Sequence, residues 1–518
     1  MLWTVTILVA LLGLLATIGL YVVSRPRSTG QSGDNLLHPV APGLWIFRGY
    51  FSNAVVFELR DQVVLVDALS HRHVAAQLAR AIDQQIGKPV THLIATHFHG
   101  DHVGGAAEFP QAIFITTETT AHYITTRSHE RKTYTEAFGL ITPEVLPPIR
   151  TPDETFSGEH TLTLGDETLR LLQLGAVETD DACVVHWPAR RAIACGDGVS
   201  TVGYPFLGAP IADEGLRDDG EWLGFLSRLA ALEPEVLLPG HGIPLIGVAR
   251  IHARLALLRA LFTDILDATR DAMRTHDAVE DVLTAALPRL APYDARADLK
   301  QNVTTQRFAI YRAYNSMRPE RAGKGWWHDL RAPTLRPPDP ACAPQTIDRI
   351  PNTEALLRQS RGLKDSNEVA ALFEVWLRRH PEDVEARAAL AAAMLSKVGA
   401  SRSIVDDAEY FHAARDAARG VLDRAPDHPV GLAVLGILTV WSAIVLGAPT
   451  ADGVEMLRRA LRAEPLDRPM RQRVAFFIGK AHQFEHNAEE SDRWLRRAMP
   501  PWSRTLFPLF RPLLRSIP

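Results

Sequence analysis

The chain opens on 22 uncharged, mostly apolar positions, LWTVTILVALLGLLATIGLYVV over residues 2–23. About 20 such residues span the ~30 Å of a bilayer's hydrocarbon, so residues 1–27 read as a transmembrane anchor. A cleaved secretory signal would have a shorter apolar core of ~7 to 15 residues, basic residues before it and a small-residue site after it. None of these is present. The expectation is a single-pass membrane protein. Arg25 and Arg27 follow the span and lean toward the cytoplasm by the positive-inside rule, but two charges leave the side of the membrane open.

After a polar linker, STGQSGDN over 28–35, short β-type runs alternate with amphipathic stretches. WIFRGYFSNAVVFEL, DQVVLVDAL and THLIAT predict strands, and VAAQLARAIDQQIG predicts a helix ended by glycine. TLTLG, ETLRLLQLG, ACVVHWP and RAIACGD predict further strands, GEWLGFLSRLAALEP a helix and EVLLPGHG a last strand. This alternation implies an α/β layered domain over residues 38–247.

The rhythm then turns helical. ARLALLRALFTDILDATRDAM and VEDVLTAALPRL predict helices of an extension over 248–330. Residues 331–351 carry six prolines and predict a linker, since proline lacks a backbone donor and fixes φ. Over 352–518, FEVWLRRHPEDVEARAAL, ARGVLDRAPDHPVGLAVL and LRRALRAEPLDRPMRQRV each end a helix near a proline (Pro381, Pro426, Pro465) and open another. These resemble tetratricopeptide-type hairpins with irregular spacing.

Composition narrows the partners. With 56 Lys and Arg against 60 Asp and Glu, nothing points to nucleic acid or to a disordered acidic block. Cys183, Cys195 and Cys342 are too scattered for a disulfide framework and read as buried small hydrophobes.

The stretch THFHGDHVGG, residues 96–105, sets three of the chain's 20 histidines and an aspartate within six positions after a predicted strand. Imidazole and carboxylate together suit zinc or a similar divalent ion. Alternating His97 and His99 can face one ion while Asp101 and His102 turn toward a second. Ordinary hydrogen bonding would struggle to satisfy four such groups in a short glycine-rich loop. His92, His122, His129, His186 and His252 lack this spacing and read as packed or surface side chains, although His122 and His129, near Tyr123 and Arg127, can line a cleft.

Together with VVLVDAL, ACGDG and PGHG, this motif resembles the metallo-β-lactamase superfamily over residues 38–247. The resemblance implies an αββα sandwich, here followed by an all-α helical-repeat domain and preceded by the membrane helix. It implies two ions, most simply zinc with manganese or iron as alternatives. His97 and His99 would serve the first, Asp101, His102 and His241 the second, and Asp197 would bridge them. Most members place a histidine as third ligand of the first ion, where GAVETDDACVVHWP offers Glu178. The alkylsulfatase branch resembles this chain in that glutamate and in a helical dimerisation region, and QNVTTQRFAIYRAYN (301–315) is also similar. That branch differs in bridging with Glu and in the setting of its final histidine.

The expected activity is hydrolysis by a metal-bound hydroxide oriented by Asp101, with a sulfate ester as the first candidate substrate. Another ester, a lactone, a thioester, a phosphodiester or a β-lactam is the alternative. A membrane-tethered helical-repeat scaffold with a degenerate metal domain is the reading from a different class. A small-molecule ester, the membrane and a homodimer or protein partner on the C-terminal helices are the expected partners.

Overall fold

The computed structural model describes residues 36–49, 52–127, 148–201, 221–294, 303–318, 350–360, 366–398, 404–463 and 466–499, with 203, 205, 296 and 299. The transmembrane anchor expected over 1–27, most of the proline-rich linker, His129 and Cys342 lie outside the described residues.

Two sheets form the middle of the first domain. The seven-stranded sheet runs in chain order through β1 (Leu37–Ala41), β2 (Leu44–Arg48), β3 (Asn53–Glu58), β4 (Val63–Val66), β5 (Val90–Ile94), β6 (Ile113–Thr117) and β7 (Glu154–Phe156). It is antiparallel from β1 to β4 and parallel from β4 to β7. The six-stranded sheet joins β8 (Glu159–Leu164), β9 (Glu167–Leu172), β10 (Val184–Trp187), β11 (Ala192–Ala194), β12 (Val236–Leu238) and β13 (Leu245–Ile246), with only β11 and β12 parallel. The single strand expected over WIFRGYFSNAVVFEL is in fact the β2–β3 hairpin, turned where Gly49 N donates to Ser52 O at 3.0 Å.

Strand alternation explains why these sheets stack. Successive side chains point to opposite faces, and Val55, Phe57, Val64, Val66 and Ile94 meet Leu169, Leu171, Val185, Trp187 and Leu238 of the other sheet in one core. Their neighbours Val56, Val63, Leu65 and Leu93 face outward under α1 (Arg72–Gln85), which buries Val74, Leu78 and Ile82 at helical spacing. On the far side Leu172, Val184, Ile193 and Leu237 pack under α4 (Glu221–Ala231), α5 (Val248–Met273), α6 (Val279–Asp294) and α7 (Val303–Ser316). The layers are therefore helix, sheet, sheet, helix. Two short helices lie between β5 and β7: α2 (Gly100–Val103) and α3 (Glu118–Thr126). Residues 248–316, in their described part, share the sandwich's own outer core.

The C-terminal region holds α8 (Thr353–Ser360), α9 (Ser366–Arg379), α10 (Val384–Leu395), α11 (Ile404–Leu422), α12 (Pro429–Leu446), α13 (Ala451–Arg462), α14 (Arg468–Phe484) and α15 (Ala488–Ala498). Consecutive helices pack together, and α12 touches both α10 and α14. The three repeat-like sequences each begin on one helix and end on the next. Asp383 ties α8 to α10: its carboxylate accepts from Thr353 Oγ1 at 2.6 Å, Trp376 Nε1 at 2.8 Å and Ala386 N at 2.9 Å. Helix α12 is apolar all round, as a central helix must be. It is long and apolar enough to cross a membrane, but 67% of it is buried among its neighbours.

Candidate metal centre

The ends of four strands deliver the site. Asp67 follows β4, the run from Thr96 to His102 follows β5, Asp197 follows β11 and His241 follows β12, while Glu178 sits on the β9–β10 connection. Such crevices at the carboxyl ends of strands are where α/β sheets place ligands.

Two donor groups form there. His97 Nε2 and His99 Nδ1 lie 3.0 Å apart, and Glu178 Oε1 is 3.4 Å from His99 Nδ1. His102 Nε2 lies 3.5 Å from Asp101 Oδ2, and His241 Nε2 lies 3.2 Å from the same oxygen. Asp197 stands between the groups, with Oδ1 3.4 Å from His102 Nε2 and Oδ2 3.2 Å from His241 Nε2 and 4.0 Å from His97 Nε2. All seven residues singled out in the sequence thus converge. His92, His122 and His186 do not join them.

Supporting contacts fix which nitrogen each imidazole presents. Asp67 accepts from Thr96 N at 2.8 Å and from Thr96 Oγ1 at 2.9 Å, and it lies 2.8 Å from His102 Nδ1. Thr96 Oγ1 is in turn 3.1 Å from His97 Nδ1. Both Nδ1 atoms are therefore occupied by this network and both Nε2 atoms face the crevice, the usual way a carboxylate orients a metal-binding histidine. Neither Asp67 nor Asp181 was singled out in the sequence. Asp181 accepts from Phe98 N at 2.8 Å and Thr120 Oγ1 at 2.7 Å, joining the motif to α3.

The glycines of the motifs have steric causes. Asp67 and Leu69 both take left-handed φ values of 64°, folding the chain back so that Ala68 N donates to His102 O at 2.6 Å. A Cβ on Gly104 would lie 1.9 Å from Ser70 O, and one on Gly105 would lie 2.1 Å from Ala68 O. In PGHG, a Cβ on Gly240 would lie 2.3 Å from Asp197 Oδ1. Asn53 Nδ2 holds that loop by donating to Pro239 O at 3.0 Å and Gly242 O at 3.1 Å.

The electrostatics are those of a site built for cations. Burial pushes the His97 imidazole well below its ordinary range, aided by His102 and His99. Burial, with Asp197 close by, pushes the Glu178 carboxyl well up. Desolvation also works against the charged forms of Asp101 and Asp197, but His102 and His241 hold both carboxyls low. Conversely, desolvation of His102 and His241 is overcome by the acids around them, which raise both imidazoles well above the ordinary range. His102 Nε2, Glu178 Oε2 and Asp197 Oδ1 are buried without a hydrogen bond. Buried polar atoms are rarely left so. The mixed nitrogen and oxygen donors and these three atoms, all aimed into one crevice, fit divalent metal ions.

One wall is aromatic and basic. Phe98 lies 4.9 Å from the His99 ring, and the Arg127 guanidinium sits 4.7 Å over Phe98 and 4.6 Å over Tyr123. Tyr123 donates to Asp180 at 3.0 Å. Burial, with Asp180 adding to it, pushes the Tyr123 phenol up to about 12.

Residues 47–241 match the family described as the metallo-beta-lactamase superfamily, so with this fold and donor set they constitute a metallo-β-lactamase domain. A linear primary-alkylsulfatase from Pseudomonas sp. (strain ATCC 19151) is 21% identical over 227 residues, 38% of this chain and 42% of that protein. The chain thus spans less than half of that relative's length. Among solved structures, the stereoselective inverting sec-alkylsulfatase Pisa1 from Pseudomonas sp. is similar at a TM-score of 0.50 and 16% identity, over 75% of this chain and 66% of that one. A double mutant of the same enzyme gives 0.51 and 16%, over 78% and 70%. At these identities the structural likeness speaks for the fold.

Proposed function

We propose that the protein is a metal-dependent hydrolase of sulfate esters. The observation that carries the reading is the buried Glu178 carboxylate facing His99 in a complete seven-residue donor set. Drift toward a scaffold would be expected to damage more than one ligand position. The named activity of the alkylsulfatase relatives supports the sulfate ester. Asp197, where that branch bridges with Glu, leaves other esters, lactones, thioesters, phosphodiesters and β-lactams as the competing substrates.

His97, His99 and Glu178 would hold one ion, Asp101, His102 and His241 the second, and Asp197 would span them. Ions bound there lower the pKa of water toward ~7 and polarise an S=O, P=O or C=O group. Asp101, with its side chain 31% exposed at the mouth, accepts a hydrogen bond from the attacking water and keeps it oriented. Asp67 and Thr96 hold His102 and His97 so that no reorganisation is needed as charge develops. Phe98, Tyr123 and Arg127 offer the leaving group an apolar and cationic wall. The apolar N-terminal stretch supports a single membrane anchor, and the stacked C-terminal helices support a tetratricopeptide-like surface for a second copy or another protein.

Metal per chain by elemental analysis, followed by assay of sulfate, phosphate and carboxylic esters, tests this. About two zinc, manganese or iron ions and turnover of a sulfate ester are expected. No metal after zinc or manganese is added would overturn the reading, and turnover of another ester class alone would move the substrate.

A further inference from the structure

Arg312 on α7 is 1% exposed, and none of the seven donors is its neighbour in sequence. Its Nη2 donates to the backbone carbonyl of Glu178 at 2.6 Å. Held at the Glu178 backbone, the guanidinium shares the buried surroundings of that residue's own carboxylate. A fully buried guanidinium is costly unless charge compensates it, and Glu178 needs the same compensation. Replacing the usual imidazole donor by a carboxylate adds one negative charge to a pocket that already contains Asp67, Asp101 and Asp197.

We infer that Arg312 is a positioning residue of the first donor group: it anchors the loop that presents Glu178 and balances the charge which that carboxylate brings. Helix α7 is then a working part of the metal centre, although it lies outside the two sheets. This inference rests on the metal-dependent reading above. Arg312 is not itself one of the donors.

The two actions separate in a double-mutant cycle on the full chain, comparing Arg312→Met, Glu178→His and their combination by zinc affinity in chelator competition and by zinc per chain. Arg312→Met alone is expected to weaken zinc binding about 10- to 100-fold, the range for lost supporting contacts, with circular dichroism unchanged. In the Glu178→His background the same change should cost several-fold less, because the extra charge has gone. A contact that served the loop backbone alone would cost the same in both. Equal losses in the two backgrounds would overturn the charge balance and leave Arg312 as a loop anchor, and no loss in either would overturn the role altogether. Should Arg312→Met not fold, Arg312→Gln in the same two backgrounds gives the same comparison, because it removes the charge and keeps a donor for the Glu178 carbonyl. Absence of any metal from the unaltered protein after zinc or manganese is added would remove the metal-dependent reading and this role together, whereas equal zinc affinity and content in the unaltered protein and in Arg312→Met overturns this role alone.

Discussion

A carboxylate buried to 2% beside two imidazoles costs free energy unless cations compensate it, and the proposed metal ion would supply most of that compensation beside Arg312. Glu178→Ala should therefore cost about one ion per chain, read by elemental analysis, while circular dichroism stays unchanged. Unaltered occupancy would take Glu178 out of the donor set. Asp67 acts differently, through the proton on His102 Nδ1. Asp67→Asn keeps the shape and removes the charge, so metal affinity should fall about 10- to 100-fold without loss of stoichiometry at saturating zinc. These residues were not equally visible in the sequence. His97, His99, Asp101 and His102 announce themselves because one loop carries all four, and Asp197 and His241 because ACGDG and PGHG echo a family pattern. Asp67 lies in VVLVDAL and Arg312 in QNVTTQRFAIYRAYN, stretches that carry the family resemblance, but what these two and Asp181 do is exerted through space. Arg312 reaches Glu178 from 134 positions away, and no local pattern records that contact.

At the scale of elements, strands carried by alternating or unbroken apolar runs were legible, whereas β1 and β6 were not. Strands β3 and β4 send alternate residues to two different apolar cores, which gives unbroken runs such as VVLV. Strand β1 carries Pro39 and pairs only with β2, and proline in a run hides an edge strand. Strand β6, IFITT, is buried over four of its five positions by layers that only the tertiary fold supplies. Among the C-terminal helices, α14 carries an element-scale cost at Lys480, which is 4% exposed, with its Nζ donating to Gln483 Oε1 at 3.2 Å. Burial lowers its pKa from 10.5 to about 8. Between these values the unfolded chain binds the proton more tightly than the folded one, so stability rises with pH across that window. Below pH 8 the full penalty, on the order of 3 kcal/mol from a shift of this size, is present. Lys480→Met, similar in volume and uncharged, should raise the unfolding midpoint of the helical region at pH 7 and abolish its rise between pH 8 and 10.5. An unchanged midpoint and slope would show that water reaches the ammonium.

Over the whole molecule, the question is how much of the chain the metal centre needs. Helices α5, α6 and α7 place Leu258, Phe262, Ile265, Leu283 and Tyr311 in the same core as Ile193 and Leu237 of the second sheet. Each such side chain contributes about 1.5 to 3 kcal/mol of burial, so a chain ending at residue 247 would uncover that face and should fail to fold. The C-terminal helices meet this part of the chain where α11 packs on α7, and again at α1. Phe484 stacks 4.5 Å from His73 and 6.0 Å from His71, and a Cβ on Gly447 would lie 2.6 Å from His71 Cβ. His71 caps α1 at the end of the turn that begins at Asp67, so this docking surface borders the support of His102 without entering the crevice. A chain from residue 28 to about 330 keeps α7, Arg312 and the shared core and gives up only the docked helices. It should hold the full chain's metal per protomer, and it should sediment as a monomer if the C-terminal helices carry the self-association proposed for them. Loss of metal from this shorter chain would mean that the contacts at His71 and His73, or the packing of α11 on α7, hold the supports of the donors in place, making the helical region a structural partner of the site.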